Sequence, residues 1–211
     1  MFTIAGAGCC LLDYIYAQVS FDSAAFAACR SRREGDGGLA PGKLVFTEDF
    51  ETFAGRNLEP VLDELTAGRP VDAVNVGGPA VVALIHAAQL LDPTRFSVRF
   101  VGAAGADEEG VELRRQMDQA PLGSTGLVTN SGRTPRTLVL SDPGFDQGRG
   151  ERTFLNTIGA AGQLTVDDLD WAFFAANMVV FGGTGLVPQL HDSLDRMLPL
   201  ARSKGAFTVV N

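Results

Sequence analysis

Residues 73–110 read AVNVGGPAVVALIHAAQLLDPTRFSVRFVGAAGADEEG, and this stretch decides the fold. An apolar run over residues 71–76 meets Gly77-Gly78, and a helical pattern with Pro79 in its first turn follows. A second apolar run, residues 96–101, then ends in glycines and an acid. This alternation predicts an α/β unit. Because glycines at the carboxyl end of a strand let a ligand approach the backbone, we expect the ligand side of the fold at Gly77 and Gly78.

The composition favours one α/β domain over residues 1–211. A chain of 211 residues with 45% hydrophobic residues can bury one well-packed core. Its net charge of -8 and sequence pI near 4.7 disfavour nucleic acid and anionic membranes as partners, because phosphate groups are bound by clustered Lys and Arg. No uninterrupted apolar run is long enough to span a membrane.

The cysteines and histidines indicate no metal centre. Cys9 and Cys10 are adjacent and Cys29 stands alone, so neither a disulfide framework nor a four-ligand zinc site is expected. His86 and His191 have no second ligand at metal-binding spacing. The apolar amino terminus carries no Lys or Arg, which argues against a signal peptide. Reduced thiols and a cytoplasmic location are the expectation.

The first strand is predicted at residues 2–8, and a lone carboxylate, Asp13, follows it. Asp13 either caps a turn or binds hydroxyl groups of a ligand, and the residues alone leave both open. The Gly6-Ala7-Gly8 sequence also invites a dinucleotide-binding interpretation. The third glycine of that motif would fall at Leu11, so an NAD-linked enzyme is disfavoured.

Residues 14–76 form an irregular excursion from the sheet in this interpretation. A strand is expected over residues 43–47, a short helix from Thr47 and a second helix over residues 58–67, which stops at Gly68.

The second half of the chain predicts further strands and helices. Two short strands, residues 126–129 and 137–141, are separated by Asn130-Ser131-Gly132, which favours a hairpin. Asp107 stands in an acidic first helical turn, where it stabilises the helix dipole. Thr165 is expected to cap a helix with Asp168 at its third position. Three aromatic residues after this cap are expected in the core: Trp171, Phe173 and Phe174.

Several short motifs follow one another in an order that resembles the ribokinase-like, pfkB-type carbohydrate kinases. Each motif alone is loose, and their order and spacing carry the resemblance. The motifs are Asp13 after the first strand, Gly77-Gly78, Val101-Gly102-x-x-Gly105-x-Asp107-x-x-Gly110, Thr134-Pro135-x-Thr137, Gly150-Glu151-Arg152-Thr153 and Gly159-Ala160-Ala161.

The resemblance implies a Rossmann-type, mostly parallel central sheet flanked by helices, with a small β-strand lid within residues 14–76. It also implies ATP- and Mg²⁺-dependent phosphorylation of a hydroxymethyl group on a sugar or sugar-like small molecule. In that family the acid matching Asp13 hydrogen-bonds substrate hydroxyls, and the pair matching Gly77 and Gly78 lets the sugar lie against backbone. In that family the lid shields the sugar. The resemblance therefore also implies a homodimer whose subunits contact each other through the lid.

Two departures from the family pattern stand out. The family's Gly-Gly-x-x-x-Asn pattern has Val82 at its last position here, and valine cannot hydrogen-bond a hydroxyl. The Gly-Ala-Gly-Asp motif, which supplies the family's anion hole and general base, is absent; no acid follows Gly159-Ala160-Ala161-Gly162. The expected catalytic base therefore lies beyond Asn211, and residues 1–211 are interpreted as the amino-terminal two-thirds of a longer kinase.

Two alternative functions stay open. One is a non-catalytic sugar-binding or interaction module derived from the kinase fold, and the other is a nucleoside kinase. Tyr14, Tyr16 and Phe21 bear on the second, because they either clamp a nucleoside base or pack the lid.

Overall fold

The computed structural model describes residues 1–211. Its strands are β1 (Phe2–Gly8), β2 (Leu11–Tyr16), β3 (Leu44–Phe46), β4 (Ala73–Gly77), β5 (Phe96–Ala104), β6 (Leu127–Thr129), β7 (Arg136–Asp142), β8 (Glu151–Thr157), β9 (Met178–Gly182) and β10 (Phe207–Val210).

The helices are α1 (Ala24–Cys29), α2 (Thr47–Ala54), α3 (Leu58–Thr66), α4 (Pro79–Leu90), α5 (Glu108–Asp118), α6 (Phe145–Gly148), α7 (Trp171–Phe174), α8 (Pro188–His191) and α9 (Leu194–Ser203). Three short 3₁₀ turns span Gly159–Gln163, Val166–Asp168 and Thr184–Leu186. None of the helices combines the length and apolar character that crossing a membrane requires.

The residues divide into two compact units, each with its own sheet. The first unit comprises Met1–Leu12, Val76–Pro135 and Ile158–Asn211, and the second comprises Asp13–Asn75 and Arg136–Thr157. A single domain over residues 1–211 with an excursion over residues 14–76 stays a prediction.

The first unit is built on a five-stranded parallel sheet in the order β10-β9-β1-β5-β6. Strand β1 lies in the middle, and Ile4 pairs with Val98 of β5 on one side and with Met178 of β9 on the other. Ala5 and Ala7 of β1 are completely buried, as expected of a strand with neighbours on both sides. The α/β class, with a parallel sheet flanked by helices, is therefore confirmed.

The second unit contains a five-stranded sheet in the order β3-β8-β7-β2-β4, in which β7 and β8 are antiparallel. Leucines of β7 and β8 share a buried cluster with residues of α1, α2 and α3, so these helices cover one face of the sheet. The strand predicted at residues 43–47 and the two helices after it are confirmed as β3, α2 and α3. Helix α1 and residues 14–16 of β2 lie where the sequence suggested irregular structure.

The predicted hairpin over residues 126–141 is wrong. Strand β6 pairs with β5 in parallel, whereas β7 pairs with β8 in antiparallel fashion. The Asn130 N–H donates to the Ala104 carbonyl at 3.0 Å, which continues the β5–β6 ladder into the connection. Apolar alternation predicted both strands correctly, but it says nothing about their partners.

The prediction that Trp171 contributes to the core is also wrong, because 82% of Trp171 is exposed. Trp171 opens the four-residue helix α7, which buries Phe173 and Phe174 and leaves its first residue in solvent. The Thr165–Asp168 capping box is confirmed, although the element that it begins is a 3₁₀ turn and not an α-helix. Asp170 then caps α7 by accepting from the Phe173 N–H at 2.6 Å.

Candidate functional site

Gly77 and Gly78, the expected backbone contacts, lie at the start of α4 in the first unit. Gly77 ends β4 and is buried, and Gly78 is the residue before the helix. The φ angle of Gly78 is 123°, a value that residues with a side chain rarely adopt. A Cβ atom here would also collide with the Cys9 carbonyl oxygen. Glycine at position 78 is therefore required for the close approach of two backbone segments within this unit.

Val82, which replaces the family's Asn, is half-buried in the first turns of α4. Its N–H donates to the Gly78 carbonyl at 3.1 Å, which is an ordinary helical bond. The side chain of Val82 offers a ligand no polar atom. Valine in place of the family's Asn therefore removes a polar side chain from α4 but leaves the backbone of the helix unchanged.

Asp13, the candidate ligand for substrate hydroxyls, lies on β2 of the second unit and is half-buried. Burial raises the pKa of Asp13 above its ordinary value, and a hydrogen bond from the Thr137 side chain partly opposes that rise. The oxygens of this half-buried carboxylate can accept hydrogen bonds from hydroxyl groups of a ligand. The structure therefore places Asp13 within a strand. It does not cap a turn, which was one of its two expected roles.

Asp13 points away from the helices of its unit. Tyr14 and Tyr16 pack against the buried cluster under α1–α3, and successive side chains of a strand alternate between faces. The same alternation holds on β7, where Leu138 belongs to that cluster and Thr137 does not. Asp13 and Thr137 consequently share the sheet face opposite the helices.

Asn156 on β8 extends this polar row, and the sequence analysis missed it. In the β7–β8 ladder Asn156 stands opposite Thr137, so the two side chains lie on the same face. Asn156 is 2% exposed, and its side-chain oxygen has no hydrogen-bond partner. A buried acceptor left unpaired costs roughly 1–3 kcal/mol. No sequence signal marks Asn156, because its neighbours depend on strand register.

The aromatic residues after Asp13 pack the core of the second unit. Phe21 is completely buried and stacks on Phe26 with ring centroids 4.4 Å apart. Tyr14 and Tyr16 contact the same apolar cluster. The structure thus decides between the two expected roles of these residues in favour of packing.

Asp107 has the structural role that its position predicted. It caps α5 by accepting from the Gly110 N–H at 2.9 Å, and it also accepts from the Thr134 N–H at 2.9 Å and from the Thr134 hydroxyl. Partial burial would raise the pKa of Asp107, but the hydrogen bonds from Thr134 and Gly110 outweigh it and lower the pKa. The turn at Gly105–Gly110 and the Thr134-Pro135 segment are therefore tied together within the first unit.

The remaining chemically reactive side chains form no metal centre. No group of three or more His, Cys, Asp or Glu residues is arranged to hold a metal ion. His86 is exposed and hydrogen-bonds Gln89, whereas His191 hydrogen-bonds Thr184. Cys10 is completely buried, and this burial raises the pKa of its thiol far above the ordinary value.

Residues 69–211 match the model of the pfkB family carbohydrate kinases. No curated protein matches the chain. Similar solved structures include adenosine kinase from Schistosoma mansoni in complex with 2-fluoroadenosine, at 18% identity and a TM-score of 0.70, covering 99% of this chain and 54% of that chain. Another is Anopheles gambiae adenosine kinase in complex with P1,P4-di(adenosine-5) tetraphosphate, at 19% identity and a TM-score of 0.68, with coverages of 99% and 56%.

Fructokinase from Xylella fastidiosa is similar at 17% identity and a TM-score of 0.58, covering 99% of this chain and 49% of that chain. The chain therefore spans about half the length of the solved structures it matches. At these identities the likeness shows the ribokinase-like fold.

Proposed function

Because the chain belongs to the pfkB family of carbohydrate kinases, we propose that it takes part in ATP-dependent phosphorylation of a hydroxymethyl group on a sugar or sugar-like small molecule. In this proposal residues 1–211 supply mainly the substrate-binding side. The family match over residues 69–211 is the observation that carries it.

Three residues bind the substrate in this proposal: Asp13, Gly77 and Gly78. The Asp13 carboxylate accepts hydrogen bonds from substrate hydroxyls, and its half-buried position on β2 supports that role. The main chain at Gly77 and Gly78 contacts the sugar, which the absence of side chains there permits. Since Val82 cannot bind a hydroxyl, the substrate is held by other polar groups on that side.

ATP and Mg²⁺ belong to the proposal through the family alone. Residues 1–211 contain no group of three or more His, Cys, Asp or Glu arranged to hold a metal ion, and no Gly-Ala-Gly-Asp motif. The proposal includes no catalytic residue among residues 1–211. Phosphoryl transfer depends on positioning and charge stabilisation, and this chain contributes to positioning.

A ligand panel with a paired variant tests the proposal. Thermal unfolding of the full-length protein is followed with D-fructose, D-ribose, adenosine, guanosine and cytidine, in the wild type and in Asp13→Asn. A true substrate stabilises the wild type by mass action, by about 2.7 kcal/mol at a hundred times its Kd, and loses most of that effect in the variant. Phosphate transfer from ATP is then measured with each compound that binds.

Asp22→Asn is the matched control, because Asp22 is an exposed acid of the same unit. This variant should respond to ligands as the wild type does. If Asp13→Asn and Asp22→Asn respond alike, Asp13 has no role in binding and the proposed site is wrong.

We propose as a second function a sugar-binding or interaction module without catalysis. It differs from the first in one measurable respect. A module binds the sugar or nucleoside but transfers no phosphate from ATP in the full-length protein, whereas a kinase does both.

A further inference from the structure

A row of four side chains crosses the second sheet on the face opposite α1–α3. Phe46 of β3 pairs with Asn156 of β8, and Asn156 pairs with Thr137 of β7. Thr137 in turn hydrogen-bonds Asp13 of β2. Val45, the neighbour of Phe46, packs against the cluster under the helices, so Phe46 itself faces the other way. The row therefore reads aromatic ring, amide, hydroxyl and carboxylate.

Two observations within this row point to a ligand. The Asn156 side-chain oxygen is buried and has no hydrogen-bond partner, although buried acceptors in folded proteins are almost always paired. Two apolar side chains of the same face lie next to the row: Val139 and Phe154 pair with each other two residues along the β7–β8 ladder. A few polar groups on an apolar surface are typical of small-molecule sites.

The length of the row indicates the size of the ligand. Neighbouring strands lie about 4.8 Å apart, so Asp13 and Asn156 are separated by two strand spacings, roughly 10 Å. One sugar ring held by Asp13 is too short to reach Asn156. A sugar joined to a second ring reaches it, and that second ring would lie beside Phe46.

We propose that the Asn156 side-chain oxygen accepts a hydrogen bond from the base of a nucleoside whose sugar is bound by Asp13. This inference rests on the proposed function and names its substrate class. An oxygen acceptor selects a donor, so the preferred bases carry an exocyclic amino group facing Asn156. Phe46 flanks the base, because aromatic side chains favour flat ring systems. Solvent does not reach the Asn156 oxygen, so the proposal requires the side chains that cover it to move when the nucleoside binds.

The test compares nucleosides that differ in one donor. Adenosine, guanosine and cytidine are each titrated beside the analogue that lacks the exocyclic amino group: purine riboside, inosine and pyrimidinone riboside. The wild type should bind at least one parent nucleoside about tenfold more tightly than its analogue, and more tightly than D-ribose or D-fructose. In Asn156→Leu the parent should bind about tenfold more weakly and the analogue unchanged, so that the discrimination disappears.

Asn156→Leu also has an expected effect without ligand. Because it replaces an unpaired acceptor by an apolar side chain of similar size, the melting temperature should not fall. Asn156→Ala, which also removes the side-chain acceptor, serves as the second variant for the same titrations if the leucine variant does not fold. Thr153→Val is the matched control on the helix-covered face of β8, where Thr153 is buried and pairs with Leu140. It should keep the discrimination of the wild type.

The outcomes separate this inference from the proposed function. If both Asn156 variants still distinguish amino nucleosides from their analogues, or if D-ribose or D-fructose binds more tightly than every nucleoside, the role of Asn156 is refuted. Loss of binding in Asp13→Asn would then still support the proposed function. If the wild type binds no sugar and no nucleoside, both fail.

Discussion

Gly78 shows how one residue without a side chain shapes the start of α4. Its φ of 123° and its contact with the Cys9 main chain leave no space for a Cβ atom. We expect Gly78→Ala to lower the free energy of unfolding by at least roughly 2 kcal/mol, because strain and collision act together. Urea denaturation measures this loss.

Gly185→Ala is the control for the glycine substitution. Gly185 has no positive φ, and a Cβ atom there would meet no neighbour within 4 Å. Its unfolding free energy should stay within about 0.5 kcal/mol of the wild type. Equal effects of the two substitutions would contradict the close approach at Gly78.

Asp13, the proposed substrate-binding residue, is expected to destabilise the folded protein in its charged form. Burial raises the pKa of Asp13 above 3.8, so the folded protein binds this proton more tightly than the unfolded chain does. Stability attributable to Asp13 is therefore lost as the pH rises from the ordinary value through the raised pKa. Asp13→Asn should raise the melting temperature at neutral pH while weakening ligand binding, as expected where stability and function conflict.

The pH dependence separates this effect from a general change in packing. Below pH 3.8 the carboxyl of Asp13 is protonated in both states, and the difference in unfolding free energy between wild type and Asp13→Asn should be small. A wild type that is more stable than the variant at neutral pH would show that the carboxylate is well compensated. The measurement is urea denaturation across this range.

At the scale of elements, α5 depends on a cap that also fixes a neighbouring segment. Asp107 accepts from the N–H groups of Gly110 and Thr134. We expect Asp107→Ala to reduce the unfolding free energy by about 2 kcal/mol, because the helix loses its cap and buried Thr134 loses a partner. Since the pKa of Asp107 is lowered, this stabilisation is present above pH 3.8 and is lost as the pH falls through the lowered value.

Glu108→Ala separates capping from the helix dipole. Glu108 is an exposed acid in the same helical turn and makes no capping bond. Its replacement should cost less than about 0.5 kcal/mol. If the two alanine variants are equally destabilised, the charge matters more than the cap.

The elements also show where sequence patterns suffice and where they do not. Strand β1 and the Pro79 start of α4 were predicted from local patterns, because burial and first-turn chemistry are local properties. The partner strands of β6 and β7 could not be predicted in this way, because strand pairing depends on residues far apart in the sequence. The candidate site divides in the same way: Asp13 stands out beside an apolar strand, whereas Asn156 acquires meaning only through the strand register.

At the scale of the molecule, each unit contains one sheet whose middle strands are paired on both sides. In the first unit β1 lies between β9 and β5, and in the second β7 lies between β8 and β2. Amide hydrogens of a middle strand exchange with solvent only after the surrounding structure unfolds. Amide hydrogens of an edge strand exchange when that strand frays. Hydrogen exchange should therefore be slowest around Ala5–Ala7 in one unit and Leu138–Leu140 in the other.

The edge strands supply the internal comparison for this prediction. Strands β10 and β6 bound the first sheet, and β3 and β4 bound the second. Their amides should exchange at least about tenfold faster than those of the middle strand in the same unit, corresponding to about 1.4 kcal/mol of opening free energy. The comparison is made within each unit, so a difference in stability between the units does not affect it. Edge amides that exchange as slowly as those of β1 or β7 would show that the sheet opens only as a whole. The predicted difference in exchange rate between middle and edge strands would then be wrong.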